Sequence, residues 1–572
     1  PVATAPRRGD AAAPGKEVSV WTAEDLAQIT ARDVNRMQEE APAVRRGALK
    51  AVTAAVEATL PEVLAQCAVE LIVKNALRRF EDSSEANREL AVGVVRKTLD
   101  RAPDVVLELL PYAMPTVRER LWRDEKGDFA EPSEELRVML TQLLCELVER
   151  AGTGIAAYAS DVVEILEGSN YDSCPEVVCE ACTCVLALIK TLGRRLQPIA
   201  KKIVWYFAPN LTHKRSKCRV ATIEVVRRAV HCGAHETILD LTAFRHPNLV
   251  PIKAFYGDDI KINYFGKLAT DQVPQVREAF LELCHDWLTT LTERVEHEAR
   301  LIPYVLSAFA DEVEAIQVRA VQVTEALGLQ YEHEHDHDLK EQLYYASEYY
   351  DTDNGFYANA GSAVRIPHPF SKRPRLGTRI LMHNNYNAMI TPALKELDSW
   401  ATDLRIRAAS LVCALLVFVE DNATQYVQKV LHALAPATQD PLIRDKVCEC
   451  LRLVGVFVKP QHWLECLVPA FGSDYENRHR RNALAAIKEI LPGAPSHLLK
   501  EELPFMVEQL CTDELVATRD WHLQVTLAGV LEWLVGCTDG AASDHEDALL
   551  GAALRLRANV TPGTETGGEV RE

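Results

Sequence analysis

Long apolar runs are missing from this sequence. No stretch approaches the roughly 18 to 20 consecutive apolar residues that a membrane-spanning helix needs, and no charged-then-apolar signal peptide opens the chain, so no membrane partner is expected. Aromatic residues make up only 7% of it. A positive excess is also lacking: 63 Lys and Arg face 82 Asp and Glu, a formal charge of −19, and such a surface repels phosphate backbones. General nucleic-acid binding is therefore not expected. No G-x-x-x-x-G-K-[ST] loop, G-x-G-x-x-G after a strand, H-E-x-x-H or G-x-S-x-G elbow occurs, so catalysis is not expected, nor is a cofactor. The fifteen cysteines form no disulfide framework; odd in number and scattered, they read as small buried hydrophobes in a reducing cytoplasm.

What is present is a repeat. A chain of 572 residues is too long for one ordinary core, and 48% apolar with 25% charged residues is the profile of stacked amphipathic helices. An acidic residue followed five positions later by a β-branched residue and then Arg occurs at Asp271 to Val276-Arg277. In relaxed form the position before the Arg runs through Val44, Asn87, Leu136, Val177, Cys218, Val276, Val318, Ile406, Ile443, His479 and Thr518. Most steps lie near 40 residues, the unit of a HEAT or armadillo repeat, while steps of 58 and 88 imply insertions. The predicted fold is all-α: a HEAT/armadillo-type α-solenoid, a right-handed superhelix of about eleven antiparallel helix pairs.

Each register point opens a second helix of a pair. Val276, Phe280, Leu283, Trp287 and Leu291 share one apolar face, and the segment from Leu404 and Ile406 to Val419 is apolar on nearly every side. The first helix of each pair is predicted to carry Pro in its first turn or just before an apolar run, as at Pro303 before Tyr304-Val305-Leu306 and Pro504 before Phe505-Met506-Val507. Asp271, Asp440, Asp474 and Asp513 fall in the turn between paired helices, where a carboxylate can cap the second helix. The following Arg277, Arg319, Arg407, Arg444, Arg480 and Arg519 are then placed to reach a neighbouring repeat's carboxylate as a structural ladder.

Composition sets the boundaries. Residues 1–20 and 556–572, polar and without period, are expected to be disordered; 21–330 and 391–555 form the two arrays. Between them 331–390 reads as an inserted loop, acidic and Tyr-rich, then basic. Within it His333, His335 and His337 alternate with carboxylates and are weak metal candidates, read foremost as a solvated acidic stretch. Cys174, Cys179, Cys182 and Cys184 crowd one apolar helix without a second C-x-x-C, so packing is the expected role. Lys201, Lys202, Lys214, Arg215, Lys217 and Arg219 read as a solvated basic face, with an acidic protein partner as the functional alternative.

Several segments carry a family resemblance. Leu301-Ile302-Pro303, Asp311-Glu312-Val313 with Val318-Arg319, Gly328-Leu329-Gln330-Tyr331 and Asp338 to Leu343 resemble the HEAT-repeat axonemal dynein assembly factor family. So do Arg373-Pro374-Arg375-Leu376-Gly377-Thr378-Arg379 and Ile390 to Leu394, the whole match covering about Asp271 to Leu416. The resemblance implies a cytoplasmic scaffold for preassembly of outer and inner dynein arms, working with dynein heavy or intermediate chains, other assembly factors and chaperones. Arg373, Arg375 and Arg379 are the candidate partner contacts on the inserted loop, the alternative being that they only fasten the loop to adjacent helices. The competing reading is a helical-repeat adaptor of another class, a nuclear transport receptor or a phosphatase scaffold subunit.

Overall fold

A helix whose neighbours press on both sides must be apolar nearly all round, and one that faces solvent must not. The chain obeys this in alternation. The computed structural model describes residues 22–124, 126–242, 262–337, 356–359, 362–472, 475–538 and 540–559. They fall into two compact units, Pro1–Leu283 and Cys284–Glu572. Each is a stack of antiparallel helix pairs. Eleven second helices occur among the described residues: Pro42–Ala58, Glu85–Arg101, Glu134–Ala151, Pro175–Leu192, Ser216–Ala229, Pro274–Thr290, Glu314–Glu334, Thr402–Val419, Arg444–Phe457, Asn477–Ile490 and Trp521–Cys537. The architecture is all-α and solenoidal, as the periodicity predicts. In Thr402–Val419 every residue from Val412 to Val419 is buried, although Leu404 and Ile406 at its start are exposed.

Proline marks both kinds of helix. Pro42 and Pro175 sit at the first position of second helices, where a missing N–H costs nothing. Pro303 and Pro504 lie not in the first turn but well inside Arg294–Ser307 and Ser496–Leu510, each just before an apolar run. The polar turn ahead of each apolar run is itself helical. Pro504 is exposed, so the carbonyl its ring frees can bond water.

One device recurs in the turns between paired helices. Arg45 grips Asp82 through Nε at 2.6 Å and Nη2 at 2.8 Å, Arg88 grips Glu131 at 2.9 and 2.8 Å, and Arg137 grips Asp172 at 2.6 and 2.9 Å. Arg219 holds Asp271 and Arg405 holds Asp440 likewise, at 2.7 and 2.8 Å. The third guanidinium nitrogen turns back on its own repeat: Nη1 of Arg88, Arg137, Arg219, Arg277 and Arg405 donates to the carbonyl six residues earlier. Each acid also accepts the amide two residues on, as Ser84 to Asp82, Ser133 to Glu131, Val273 to Asp271 and Leu442 to Asp440. The carboxylate thus fixes the entry of one second helix while the arginine ties it to the repeat before, and five-donor guanidinium geometry suits both tasks at once.

The ladder therefore runs on a spacing of six from the turn acid, and this corrects several assignments. Asp271, Arg277 and Asp440 hold the expected places. Gln317 and Arg405, two residues before Arg319 and Arg407, bond the turn, to the Asp311 and Ser399 carbonyls, and Arg319 Nη2 meets His285 Nδ1 at 3.2 Å. A shift of two residues swings a side chain about 200° around a helix, which is why Val318 is 48% exposed and Ile316 buried. Arg444 lies only four residues after Asp440 and faces elsewhere; Arg519 gives way to Gln524, which bonds the Thr518 carbonyl at 2.7 Å. Asp513 opens the short helix Asp513–Val516 and pairs with Arg555 at 2.5 Å. Arg480 donates to the Gly472 carbonyl at 2.9 Å. Asp474 lies outside the described residues.

Among its described residues, the expected loop at 331–390 carries regular structure. Helix Glu314–Glu334 runs through His333, strands Phe356–Asn359 and Ser362–Arg365 pair antiparallel, and Leu376–Glu396 is a helix. The reason is a close helix crossing. A Cβ at Gly377 would stand 2.2 Å from the Gly328 carbonyl, and one at Gly328 would stand 2.5 Å from the Thr378 amide, so only glycine permits it. Helix Glu546–Asn559 likewise reaches into the expected tail. The remaining residues of both termini, and 338–355 of the insertion, lie outside the described set.

Candidate interaction surfaces

The three candidate contact arginines are fasteners. Arg373 donates to both carboxylate oxygens of Glu420 at 2.7 and 2.6 Å, and Arg379 Nη1 donates to Oε2 of the same group at 2.8 Å. Arg375 Nε reaches Glu332 at 3.1 Å. Glu420 is 1% exposed, so two cations meet one buried anion and tie the insertion to the end of Thr402–Val419. Its backbone is left-handed at φ 50°, ψ −126°, the conformation that Gly152 and Gly193 adopt at the equivalent ends of Glu134–Ala151 and Pro175–Leu192. A side chain at such a position is strained, and the double ion pair is what holds it. Arg373 and Arg379 are thus engaged in fastening the insertion to its neighbouring helix, while Arg375, its side chain 34% exposed, pairs with Glu332 at the surface.

The histidine cluster does not converge. His333 is exposed on its helix, the His335 ring stacks on Tyr331 at 4.0 Å, and the neighbouring carboxylates Glu332 and Glu334 are engaged by Arg375 and Arg294. Among the described residues these groups do not come within common ligand reach. Cys182 and Cys184 are buried in Pro175–Leu192, and burial pushes the Cys182 thiol up to about 12, a protonated group with no nucleophilic character at neutral pH. Cys179 Sγ lies 3.8 Å from Cys218 Sγ on the next second helix. The basic stripe is stitched to the rest of the array: Lys201 to Glu236, Lys202 to Glu164, Lys217 to Glu176 and Arg219 to Asp271.

Sequence reasoning missed an aromatic surface in the first unit. The chain between Val106–Arg120 and Glu134–Ala151 makes a wide turn closed by an antiparallel bridge from Arg123 to Phe129. It lifts Trp122, 60% exposed, beside Tyr171, 51% exposed, with the Arg123 guanidinium 5.5 Å above the Tyr171 ring. Together with Glu164, Glu167 and Tyr206 they line a groove of about 320 Å³. The signal was the step of 49 residues from Asn87 to Leu136, longer than the unit on either side. The insertion implied by the 58-residue step falls largely outside the described residues.

Comparison with known proteins gives the family. A model of the dynein axonemal assembly factor 5-like TPR repeats matches residues 36–244 and 259–342, and a model of the dynein axonemal assembly factor 5 HEAT-repeat domain matches 367–558. The chain belongs to the dynein axonemal assembly factor 5 family. That family is a repeat-based assembly factor and not an enzyme family. Proteins named dynein axonemal assembly factor 5 from Mus musculus, Xenopus laevis and Homo sapiens are 26%, 28% and 27% identical over 555, 484 and 548 residues. The matches take in 96%, 84% and 94% of this chain but 60%, 52% and 59% of those proteins, so the chain spans little more than half their length. The two family models part at 342 and 367, on either side of the Phe356–Arg365 hairpin. Turn acids Glu131 and Asp172 stand 41 residues apart, nearer the HEAT unit than the TPR unit of about 34 that the first model's description names. Importin beta is similar at 10% identity over 95% of this chain and 70% of its own, but a TM-score of 0.35 lends the transport-receptor reading no support. No described helix is long and apolar enough to cross a membrane.

Proposed function

We propose that this chain is a non-enzymatic cytoplasmic scaffold that holds protein clients during preassembly of axonemal outer and inner dynein arms, before their transport into cilia or flagella. The observation that carries the reading is the match to assembly factor models over residues 36–244, 259–342 and 367–558, combined with a stack of helix pairs among the described residues. Such arrays act by presenting surface to proteins, since each repeat contributes side chains to a face far larger than a small-molecule pocket. The clients are dynein heavy or intermediate chains, with other assembly factors and chaperones as companions. Affinity purification from ciliated cells followed by mass spectrometry is expected to recover dynein chains, and gene loss is expected to leave axonemes without dynein arms. Intact arms in the knockout, with no dynein chain recovered, would end the proposal.

A further inference from the structure

Three successive second helices of the second unit, Arg444–Phe457, Asn477–Ile490 and Trp521–Cys537, form the walls of a groove of about 340 Å³. The lining is cationic although the chain as a whole is acidic. Arg444 comes from the first helix, Arg481 and Lys488 from the second, and Trp521 and His522 from the third. Helical spacing aligns them: 481 and 488 are two turns apart on one face, as are 521 and 525 one turn apart on the next. The one carboxylate in the lining, Glu489, is already held by Arg452 at 2.7 Å. Arg444, Arg481 and Lys488 have no carboxylate within ion-pair distance among the described residues, and the Arg481 Nε is buried without a hydrogen-bond acceptor. Elsewhere the arginines and lysines discussed above are largely consumed by the ladder and by pairs between repeats; these three are not. Gly529 makes room for one of them, since a Cβ there would stand 2.8 Å from the Lys488 ammonium. Trp521, 43% exposed and tilted 30° against the His522 ring with centroids 3.4 Å apart, supplies an apolar wall.

We propose that this groove binds an extended acidic segment of a protein partner, its carboxylates on Arg444, Arg481 and Lys488 and an apolar side chain against Trp521. Charge decides the class of partner: three unpaired cations demand anions, and the −19 overall charge disfavours a polyanion that must approach along its whole length. Spacing decides the form. Packed helices stand about 8 to 10 Å apart, and a polyproline-II-like extended chain advances about 3.1 Å per residue with three residues per turn, so carboxylates on every third residue share one side and step from one helix to the next. The inference needs only the groove and does not depend on which client the array assembles.

The test uses the full chain and a fluorescein-labelled peptide of about nine residues with glutamate at every third position and leucine and serine between, matching the three-residue turn of a polyproline-II-like extended chain. Fluorescence anisotropy is expected to show saturable binding that weakens with added salt. Arg444→Glu combined with Lys488→Glu is expected to weaken it by at least about tenfold, and Trp521→Ala by about threefold. Lys395→Glu, on the exposed end of Leu376–Glu396, is the charge-matched control and is expected to bind as the native chain does. Circular dichroism melts check that every variant is folded; the substituted groups are at the surface or in the open groove. Undiminished binding by the double variant, no saturation with the native chain, equal binding of a peptide with lysine in place of glutamate, or stronger binding of an oligothymidylate lost in the same variants would each overturn the proposal. A double variant that loses the peptide yet still recovers dynein chains from extracts leaves the assembly reading standing.

Discussion

Glu131 takes hydrogen bonds from two arginines and one amide while only 1% exposed, an engagement that Asp82 alone matches among the ladder acids described above. Burial raises the affinity of its carboxyl for a proton, but Arg88, Arg120 and the Ser133 amide outweigh that and hold it below its ordinary value of 4.5. Asp82 is lowered in the same way, with Arg45, Ser84 and Asn87 overcoming burial. A carboxyl whose folded pKa is depressed contributes stability above its unfolded value, and that contribution is lost as pH falls through the folded one. Glu131→Gln is therefore expected to lower stability by about 3 kcal/mol at neutral pH, since it leaves two guanidinium groups facing a neutral acceptor. The gap to the native chain should narrow well below pH 4.5, where the native carboxyl is itself protonated. Urea-unfolding midpoints at neutral pH and near pH 3 measure this. A gap that stays constant across the two would mean that Glu131 acts by shape and not by charge.

The crossing of Glu314–Glu334 with Leu376–Glu396 shows what sequence does and does not reveal about an element. Gly328, Gly377 and Thr378 all stood in segments that carried the family resemblance, yet periodicity placed 331–390 in a loop. A glycine in a helix lowers local helical propensity, and two of them with His, Asp and Tyr nearby erased the pattern. The compensation is tertiary and cannot be seen locally: Thr378 Oγ1 bonds the Thr324 carbonyl at 3.1 Å and the Gly377 amide bonds Glu332 at 2.9 Å. Gly377→Ala must force the two backbones apart and is expected to cost about 1 to 3 kcal/mol or more. Gly47→Ala is the matched control: inside Pro42–Ala58, with open space where the Cβ would sit, it should stabilise by about 0.5 to 1 kcal/mol. Thermal melts of both variants check the contrast, and equal effects would show that propensity, not the crossing, governs the site.

At the scale of the whole molecule, the repeat length was legible because every pair must bury the same face, so apolar spacing recurs whatever the surface does. The ladder was half legible. Where one arginine follows the turn, as at Arg277, pattern found it; where two stand two residues apart, as Arg405 and Arg407, only the spacing from the acid tells them apart. The aromatic turn at Trp122 and the cationic groove at Arg444 stayed hidden because their members come from different repeats. The same spacing exposes a missing rung: Val178 stands where the arginine belongs and is fully buried, and His213 stands where the acid belongs. His213 still accepts the Arg215 amide through Nδ1 at 3.0 Å, the bond the turn acids make to the residue two on, and Arg219 still donates to its carbonyl at 2.7 Å. The turn therefore has the ladder's backbone and lacks only its charges; Asn210 bonding Asn170 at 3.1 and 3.2 Å ties the repeats instead. Val178→Arg alone buries an unpaired cation and is expected to cost about 3 to 5 kcal/mol. Adding His213→Asp, which suits the existing turn, should recover more than half of that loss, giving a coupling of about 1.5 kcal/mol or more in a double-mutant cycle of urea unfolding. Additive losses would mean that the spacing of six does not by itself make a rung, and that the arginine's reach depends on neighbours beyond the turn.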